Sequence, residues 1–335
     1  MNPEWLSFHV FYAANSNPIL VEGVAPVIER LRSEGLIERW FFIRYWLEGP
    51  HVRLRVLPAR AADTERVRAE VSEALEAILA RRPALYEADR DDSSELFKRM
   101  YLAEYSEEQW NAQYGEDGEM PYRDNNSVHE IAYEQEMDRY GGPAGMALSE
   151  WHFERSSDVT LRLLATGNMH MRTVLLGQTA QLDMALCFAF LPDDAAVGEF
   201  LTNYRVFWET SYQEPSTEQH ATFDRSFERM RDRLQERLSR IQDAVRDPST
   251  SVGLEREWAE HCLELRDRAL ELARAGELSF RQGPVTDPSV VLPILLSSYI
   301  HMTANRLGAS ILDEIYLAYV NQLAVLGLGE TPVPA

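Results

Sequence analysis

Apolar side chains recur at every second position near the start of the chain, which is the spacing of a half-buried β-strand. Phe8, Val10 and Tyr12 follow this spacing. Residues 19–31 then carry apolar positions at helical spacing, and Gly35 is placed to end that helix. The pattern therefore predicts a strand followed by an amphipathic helix.

Two further strands are predicted at residues 40–46 and 52–57, joined by a hairpin-like loop, Leu47-Glu48-Gly49-Pro50. Successive side chains of a strand point to opposite faces. In the second strand this alternation separates the apolar Val52, Leu54 and Val56 from the basic His51, Arg53 and Arg55. The apolar face must pack, so we expect a basic stripe on the opposite face, which Arg44 of the preceding strand could extend.

From residue 63 onward most apolar positions recur in steps of three and four, as they do in amphipathic helices. This spacing predicts helices over 63–81, 149–164, 171–190, 223–244, 258–273, 291–302 and 310–326. Residues 84–130 are acidic and irregular, and we expect loops and short strands there. The apolar stripe of 223–244 could form a docking surface, although core packing is the simpler interpretation.

These elements predict an α+β fold, with an antiparallel sheet in the N-terminal half packed with a largely helical C-terminal half. We expect a single domain over residues 1–330. The alternative is two subdomains, 1–145 of mixed α/β structure and 146–330 helical. No internal repeat or low-complexity segment is visible in the sequence.

The chain has 54 acidic and 33 basic residues and a net charge of −21, which argues against direct binding of nucleic acid. The two cysteines, Cys187 and Cys262, are too few and too far apart for a disulfide framework. No secretory signal or membrane span is readable, so we expect a cytoplasmic protein.

Three segments carry candidate chemistry. Tyr133 to Gly142 ends in a glycine pair that permits close approach to a ligand, although Glu136 and Arg139 could equally form a local ion pair in a turn. His301 lies at helical spacing from Ser298 and Asn305, but a lone helical histidine is more often structural. Arg53 and Arg55 could likewise be an exposed strand face.

Several common reaction classes lose support because their motifs are missing from the sequence. The eight histidines show no HExxH or other paired-ligand spacing, so no metal site is predicted. The sequence contains no GxxxxGK[ST], no GxGxxG and no GxSxG. Phosphoryl transfer, hydride transfer and serine-type acyl transfer are therefore disfavoured.

Four motifs in this order carry a resemblance to a known family. They are Phe-Phe-Ile-Arg-Tyr, Gly-Pro-His-x-Arg-x-Arg, Tyr-x-x-Glu-x-x-Arg-Tyr-Gly-Gly and His-Met-x-x-Asn-Arg-Leu-Gly. Together they resemble the C-terminal, glutamate-elimination domain of class I lantibiotic dehydratases and its standalone relatives in thiopeptide biosynthesis. The resemblance covers nearly the whole chain. In the full-length dehydratases, a larger N-terminal domain transfers glutamate from glutamyl-tRNA to Ser or Thr of a precursor peptide.

The resemblance implies β-elimination of glutamate from glutamylated Ser or Thr, which gives dehydroalanine or dehydrobutyrine. The catalytic residues it implies are Arg53, Arg55, Arg139 and His301. We expect substrate-binding roles for a second set, Arg44, His51, Glu136, Ser298 and Asn305. No cofactor or metal is expected. The expected partners are a precursor peptide and a separate tRNA-dependent glutamylation subunit, and a homodimer is an open alternative.

The same family contains a second activity, the joining of two dehydroalanines into a pyridine ring with release of the leader peptide. His301 together with Arg139 favours elimination over this cycloaddition. A third alternative is a peptide-binding or partner-binding subunit of a dehydratase complex without catalytic activity. Arginines retained in a groove make that alternative weaker, because unpaired buried charge is costly.

Overall fold

Four strands of the N-terminal region form an antiparallel sheet in the order β2–β3–β1–β4. They are β1 (Leu6–Phe11), β2 (Ile37–Tyr45), β3 (His51–Pro58) and β4 (Ser127–Glu130). The computed structural model describes residues 3–87, 98–99, 101–102, 106–115, 118–212 and 214–328. A short hairpin, β5 (Ser279–Phe280) and β6 (Gly283–Pro284), lies near the C-terminal end.

Helices account for most of the remaining described chain. The N-terminal helices are a π-helical segment (Ile19–Val24), α1 (Ala25–Ser33), α2 (Thr64–Arg81) and α3 (Glu107–Tyr114). The later helices are α4 (Met137–Tyr140), α5 (Gly142–Thr166), α6 (Arg172–Phe190), α7 (Asp194–Ser211), α8 (Thr217–Arg246), α9 (Gly253–Ala275), α10 (Pro288–Leu307) and α11 (Ile311–Leu326). The predicted α+β class is confirmed.

The contacts between residues divide the chain into two compact units. The first unit contains Met1–Glu134 and Phe153–Gly167, and the second contains Gln135–His152 and Asn168–Ala335. Residues 142–152 of α5 are thus counted with the second unit and residues 153–166 with the first. A single domain over residues 1–330 stays a prediction.

The core of the first unit lies on one face of the sheet. Leu54 and Val56 of β3 and Trp40 and Phe42 of β2 are buried there with apolar residues of α1 and α2. Gly23 of the π-helical segment permits close packing, because an added Cβ would come within 2.7 Å of Ile78 in α2. One face of the sheet is therefore apolar, and the other carries polar side chains such as Ser7, His9 and Arg55, which are buried as well.

The second unit is helical around α6. Its buried residues pack against α8, α9 and α10. By length and composition α6 is the one helix among the described residues that could cross a bilayer. Of the residues in its apolar window, 56 % are buried within the protein. The apolar stripe of α8 is also buried, at Phe227, Leu238 and Ile241, so core packing is confirmed for this helix.

Most predicted elements are present, with shifted ends. The strands, the helix over 63–81 and the later helices match their predicted positions, but α8 and α10 are longer than predicted. Residues 84–130 contain α3, which the acidic pattern did not reveal, and part of this stretch lies outside the described residues. Helix α7 was also missed.

Candidate functional site

The basic face predicted for β3 is present. In the sheet register, Arg53 lies between His9 of β1 and Ile43 of β2, while Arg55 lies between Ser7 and Phe41. Val52, Leu54 and Val56 point into the core on the opposite side. The alternation of side chains along β3 thus places His51, Arg53 and Arg55 on one face, as predicted.

Arg53 is held in place by two aromatic side chains. Its guanidinium lies over the ring of Tyr45, with 3.6 Å between the guanidinium carbon and the ring centroid. Its Nε donates a hydrogen bond to Nε2 of His51 at 3.0 Å, and Nδ1 of His51 lies 2.8 Å from the carbonyl oxygen of Gly49. Both ring nitrogens of His51 are therefore engaged. His51 orients Arg53 in this structure.

Arg55 is more deeply placed, with 5 % of its surface exposed. Its guanidinium lies over the ring of Tyr133, 4.7 Å from the centroid. Such stacking favours a cation that is partly removed from water. Arg55 therefore contributes positive charge from beneath the surface of this sheet face.

His9 and His51 add no charge to this face near neutral pH. Burial, reinforced by the neighbouring charge of Arg53, lowers the pKa of His9 to about 2. The same causes lower the pKa of His51 to about 3. The rings of these two histidines are stacked with centroids 5.0 Å apart. The positive charge here comes from arginine, which stays protonated at any working pH.

Arg44 does not extend the basic face, contrary to the sequence-based expectation. Its register partner is Val52, so it points to the apolar side of the sheet. There its guanidinium donates to the Ser16 hydroxyl at 2.6 Å and to the side-chain oxygen of Asn17 at 2.7 Å. Burial lowers the pKa of Arg44 to about 10. The physical reason is that alternate side chains of a strand point to the same face. Trp40 and Phe42 face the core, and Arg44 is the next residue in that series.

In the second unit, Arg139 lies on the short helix α4. Its NH1 group forms an ion pair with Glu136 at 3.1 Å, and its Nε donates to the hydroxyl of Ser298 in α10 at 3.2 Å. The local ion pair considered from the sequence is thus confirmed. Ser298 links this arginine to the helix that carries His301.

Gly141 ends α4 in a left-handed conformation, with φ of 86°. An added Cβ would lie 3.1 Å from Phe280 and 3.2 Å from Leu278. The Gly141 carbonyl also accepts a hydrogen bond from the backbone of Ser279. Only glycine fits this position without strain. The close packing of Gly141 therefore fixes the position of α4, and with it the position of Arg139.

His301 follows Ser298 by one turn of α10, so the two side chains lie on one face of the helix. Nδ1 of His301 lies 3.1 Å from Oε1 of Glu314 in α11. The imidazole also packs on Trp208 of α7, with ring centroids 4.6 Å apart. Within the second unit, Nε2 makes no hydrogen bond to a described residue. His301 is therefore a fixed imidazole with one nitrogen available.

Glu314 is itself buried, with 3 % of its surface exposed. The hydroxyl of Tyr204 in α7 donates a short hydrogen bond to its second oxygen. Asp183 of α6 is buried nearby, and burial together with the charge of Glu314 raises its pKa well above the usual range. Glu314 is therefore a buried carboxyl group held by contacts with two side chains, Tyr204 and His301.

A cavity of about 1150 Å³ lies beside this cluster in the second unit. Its walls include Phe200, Tyr204 and Phe207 of α7 and Pro293 and Ser297 of α10. Ser297 precedes His301 by one helical turn, so the cavity wall continues along α10 toward the imidazole. Its size suits several residues of a peptide.

The structure brings together Arg139, Glu136, Ser298 and His301 in the second unit, and His51, Arg53 and Arg55 in the first. Asn305 follows His301 by one turn of α10. Among the described residues no group of three or more His, Cys, Asp or Glu could hold a metal ion. Sequence reasoning gave no role to Tyr45 and Tyr133, although both lie within the motifs, and it missed Tyr204, Trp208 and Glu314. No local spacing links them to the residues they support.

Known structures with the same fold match this chain over nearly its whole length. "Pyridine synthase, TbtD, from thiomuracin biosynthesis" matches with a TM-score of 0.76 at 20 % identity, over 96 % of this chain and 97 % of that one. TsrL matches with a TM-score of 0.67 at 16 % identity, over 98 % and 96 %. At these identities the likeness shows a shared fold.

A third structure, the tRNA-dependent lantibiotic dehydratase MibB from Microbispora sp. 107891, matches with a TM-score of 0.55 at 23 % identity. The match covers 96 % of this chain and 28 % of MibB. No curated protein sequence gives a significant match. The family model for the C-terminal part of lantibiotic biosynthesis dehydratases matches residues 5–325. The chain therefore belongs to the lantibiotic biosynthesis dehydratase C-terminal family.

Proposed function

We propose that the chain catalyses β-elimination of glutamate from glutamylated Ser or Thr of a ribosomal precursor peptide. The products are dehydroalanine or dehydrobutyrine and free glutamate. Family membership supports a role in the biosynthesis of modified peptides. The residues that the family resemblance associates with elimination are all present, as Arg53, Arg55, Arg139 and His301.

The proposed reaction needs a base and a site for a departing carboxylate. Nε2 of His301 removes the proton from Cα of the glutamylated residue. The electron pair of that bond forms the Cα–Cβ double bond, and the Cβ–O bond breaks with its electrons on the glutamate carboxylate. Arginine forks bind such a carboxylate in bidentate fashion. General base catalysis of this kind contributes about 10² to 10⁴ in rate.

One observation carries the proposal: Arg139 donates to Ser298, one turn from His301 on the same helix. Arg139, whose guanidinium can hold a glutamyl carboxylate, thus contacts the same face of α10 that carries His301. The imidazole of His301 can take a proton. The cavity beside α10 supplies room for neighbouring residues of the peptide. A glutamylated peptide would use all three features.

Cycloaddition of two dehydroalanines to a pyridine is the second candidate function. The observation that favours it is the match to a pyridine synthase over nearly the full length of both chains. The likeness at 20 % identity shows the fold, which both activities share within the family. His301 and Arg139 favour elimination, because the second candidate has no need of a site for a departing glutamate.

The proposal includes a separate glutamylation subunit that supplies the modified peptide, and a cytoplasmic site of action. With a net charge of −21, the chain suits a peptide substrate better than a tRNA. No cofactor is needed for the elimination, since the base and the charged groups come from the protein. The remaining elements of the proposal are the substrate-binding roles of Glu136, Ser298 and Asn305.

Site variants test this assignment. With a glutamylated peptide as substrate, His301→Gln should lower the rate of glutamate loss by about 10² to 10⁴. Arg139→Lys should lower it by about 10² or more, because lysine lacks the planar fork. The control is Arg274→Lys, an exposed position at the end of α9. Wild-type turnover in both site variants would refute the assigned roles.

A further inference from the structure

The imidazole of His301 rests on a buried polar cluster built from four helices. Glu314 of α11 accepts from Tyr204 of α7 and contacts His301 of α10, and Asp183 of α6 lies close enough for its pKa to respond to the charge of Glu314. None of these three supporting residues belongs to a sequence motif of the family resemblance. Burying a carboxylate is costly unless donors compensate it, so a specific use is implied.

The hydrogen bonds fix the state of the histidine. A carboxylate can only accept, so the proton shared between Glu314 and His301 must sit on Nδ1 of the imidazole. A neutral imidazole with its proton on Nδ1 carries its lone pair on Nε2. The ring plane is set as well, because Trp208 packs against one face at 4.6 Å between centroids.

We propose that Glu314 is the positioning residue of this site: it holds His301 in the tautomer that leaves Nε2 as the base, and it stabilises the imidazolium formed when Nε2 takes the proton. The inference rests on the proposed elimination for the identity of the proton removed. The tautomer assignment stands on the geometry alone. Tyr204 has the subordinate role of fixing the other oxygen of Glu314.

The surrounding charges make Glu314 the group that responds to the imidazolium. Asp183 faces the cluster from α6, and burial together with the charge of Glu314 raises its pKa well above the usual range. Asp313, the preceding residue of α11, is occupied elsewhere: one oxygen accepts from Ser310 at 2.7 Å, and the other pairs with Arg172 at 2.5 Å. Tyr204 is a neutral donor, since burial and Glu314 raise the pKa of its hydroxyl well above the usual range.

The test uses the full chain carrying ¹⁵N-labelled histidine, with His301 assigned from the signals lost in His301→Gln. The nitrogen shifts should show Nδ1 protonated in the wild type and a shift toward the Nε2-protonated form in Glu314→Gln, whose amide can donate to Nδ1. Asp313→Asn is the matched control, one residue away on the same helix. It should leave the histidine signals unchanged.

The same variants are then compared in the elimination assay. Glu314→Gln should lower the rate of glutamate loss by about 10- to 100-fold, as does the loss of a carboxylate that orients a metal-bound histidine. Asp313→Asn should stay within about twofold of the wild type.

Each readout has its own failure. A wild-type His301 protonated on Nε2, or a tautomer unaffected by Glu314→Gln, overturns the positioning role whatever the activity. If the tautomer behaves as expected and the wild type releases no glutamate, the proposed function fails and the positioning of His301 stands.

Discussion

Each of the three proposed catalytic arginines packs on an aromatic ring. The guanidinium carbons of Arg53, Arg55 and Arg139 lie 3.6, 4.7 and 5.7 Å from the ring centroids of Tyr45, Tyr133 and Tyr140 respectively. A ring face stabilises the cation without occupying the N–H groups at its edge. The tyrosines therefore help to hold each guanidinium in position.

His9 offers a test of the electrostatics of the basic face. Its pKa falls from 6.5 to about 2 on folding, because it is buried beside Arg53. The unfolded chain binds a proton at this residue below pH 6.5 and the folded chain does not, so stability is lost as pH falls through 6.5. Between pH 7.5 and 5 this one residue should cost about 2 kcal/mol of the free energy of unfolding.

Urea unfolding at the two pH values measures this cost. His9→Phe keeps a ring of similar size and cannot titrate, so it should lose about 2 kcal/mol less than the wild type between pH 7.5 and 5. His170→Phe, at an exposed position, is the control and should follow the wild type. Equal pH dependence in wild type and His9→Phe would show that His9 is protonated in the folded protein.

Single residues also show the limits of sequence reasoning. The alternation within β3 was enough to predict the face of His51, Arg53 and Arg55, because one strand fixes its own parity. The face of the sheet on which Arg44 lies depends on which alternate residues of β2 point into the core. Trp40 and Phe42 are the buried residues, and Arg44 is next in that series. Glu314 could not be found at all, since its contact with His301 joins two helices through tertiary packing.

At the scale of elements, helix ends could be placed where caps were strong. Gly35 and Gly276 both adopt left-handed conformations after α1 and α9, and the position of Gly35 predicted the end of α1. Helix α7 was missed although Asp193 caps it and the apolar Val197, Leu201 and Trp208 recur at helical spacing. The exposed Val206 and Phe207 blur the apolar stripe of this helix, which makes its periodicity weaker in the sequence.

The turn after α4 gives a prediction at this scale. Gly141 and Gly142 both have positive φ, of 86° and 82°. Alanine at either position should cost about 1–2 kcal/mol in backbone strain. At Gly141 the new Cβ would also crowd Phe280 and Leu278, whereas at Gly142 its nearest contact is an ordinary 3.7 Å. Crowding of this kind adds about 1–3 kcal/mol.

Gly141→Ala should therefore destabilise the protein more than Gly142→Ala, and chemical denaturation of the two variants measures the difference. The pair is well matched, because both glycines are buried and adjacent. Gly141→Ala should also slow elimination by displacing Arg139. Equal stability of the two variants would mean that Phe280 and Leu278 move aside without a loss of stability. It would also mean that Gly141 does not fix the position of α4.

At the scale of the whole molecule, a strongly acidic chain presents arginines from both of its units. The first unit carries Arg53 and Arg55 on a sheet face, and the second carries Arg139 beside the helix of His301. The fold class and the order of the helices and strands could be predicted from the apolar periodicity. The protein family could be predicted from the four short motifs. Among the motif residues, the preference for elimination over cycloaddition depends on His301 and Arg139.

In the proposed function, glutamate leaves the peptide at the site that contains His301. The most direct measurement offers the purified wild-type chain a glutamylated precursor peptide and, separately, the same peptide already carrying dehydroalanines, and follows both by mass spectrometry. Elimination predicts that the first loses one glutamic acid per modified residue and that the second is unchanged. An unchanged first peptide, together with ring formation and leader release from the second, would contradict the account.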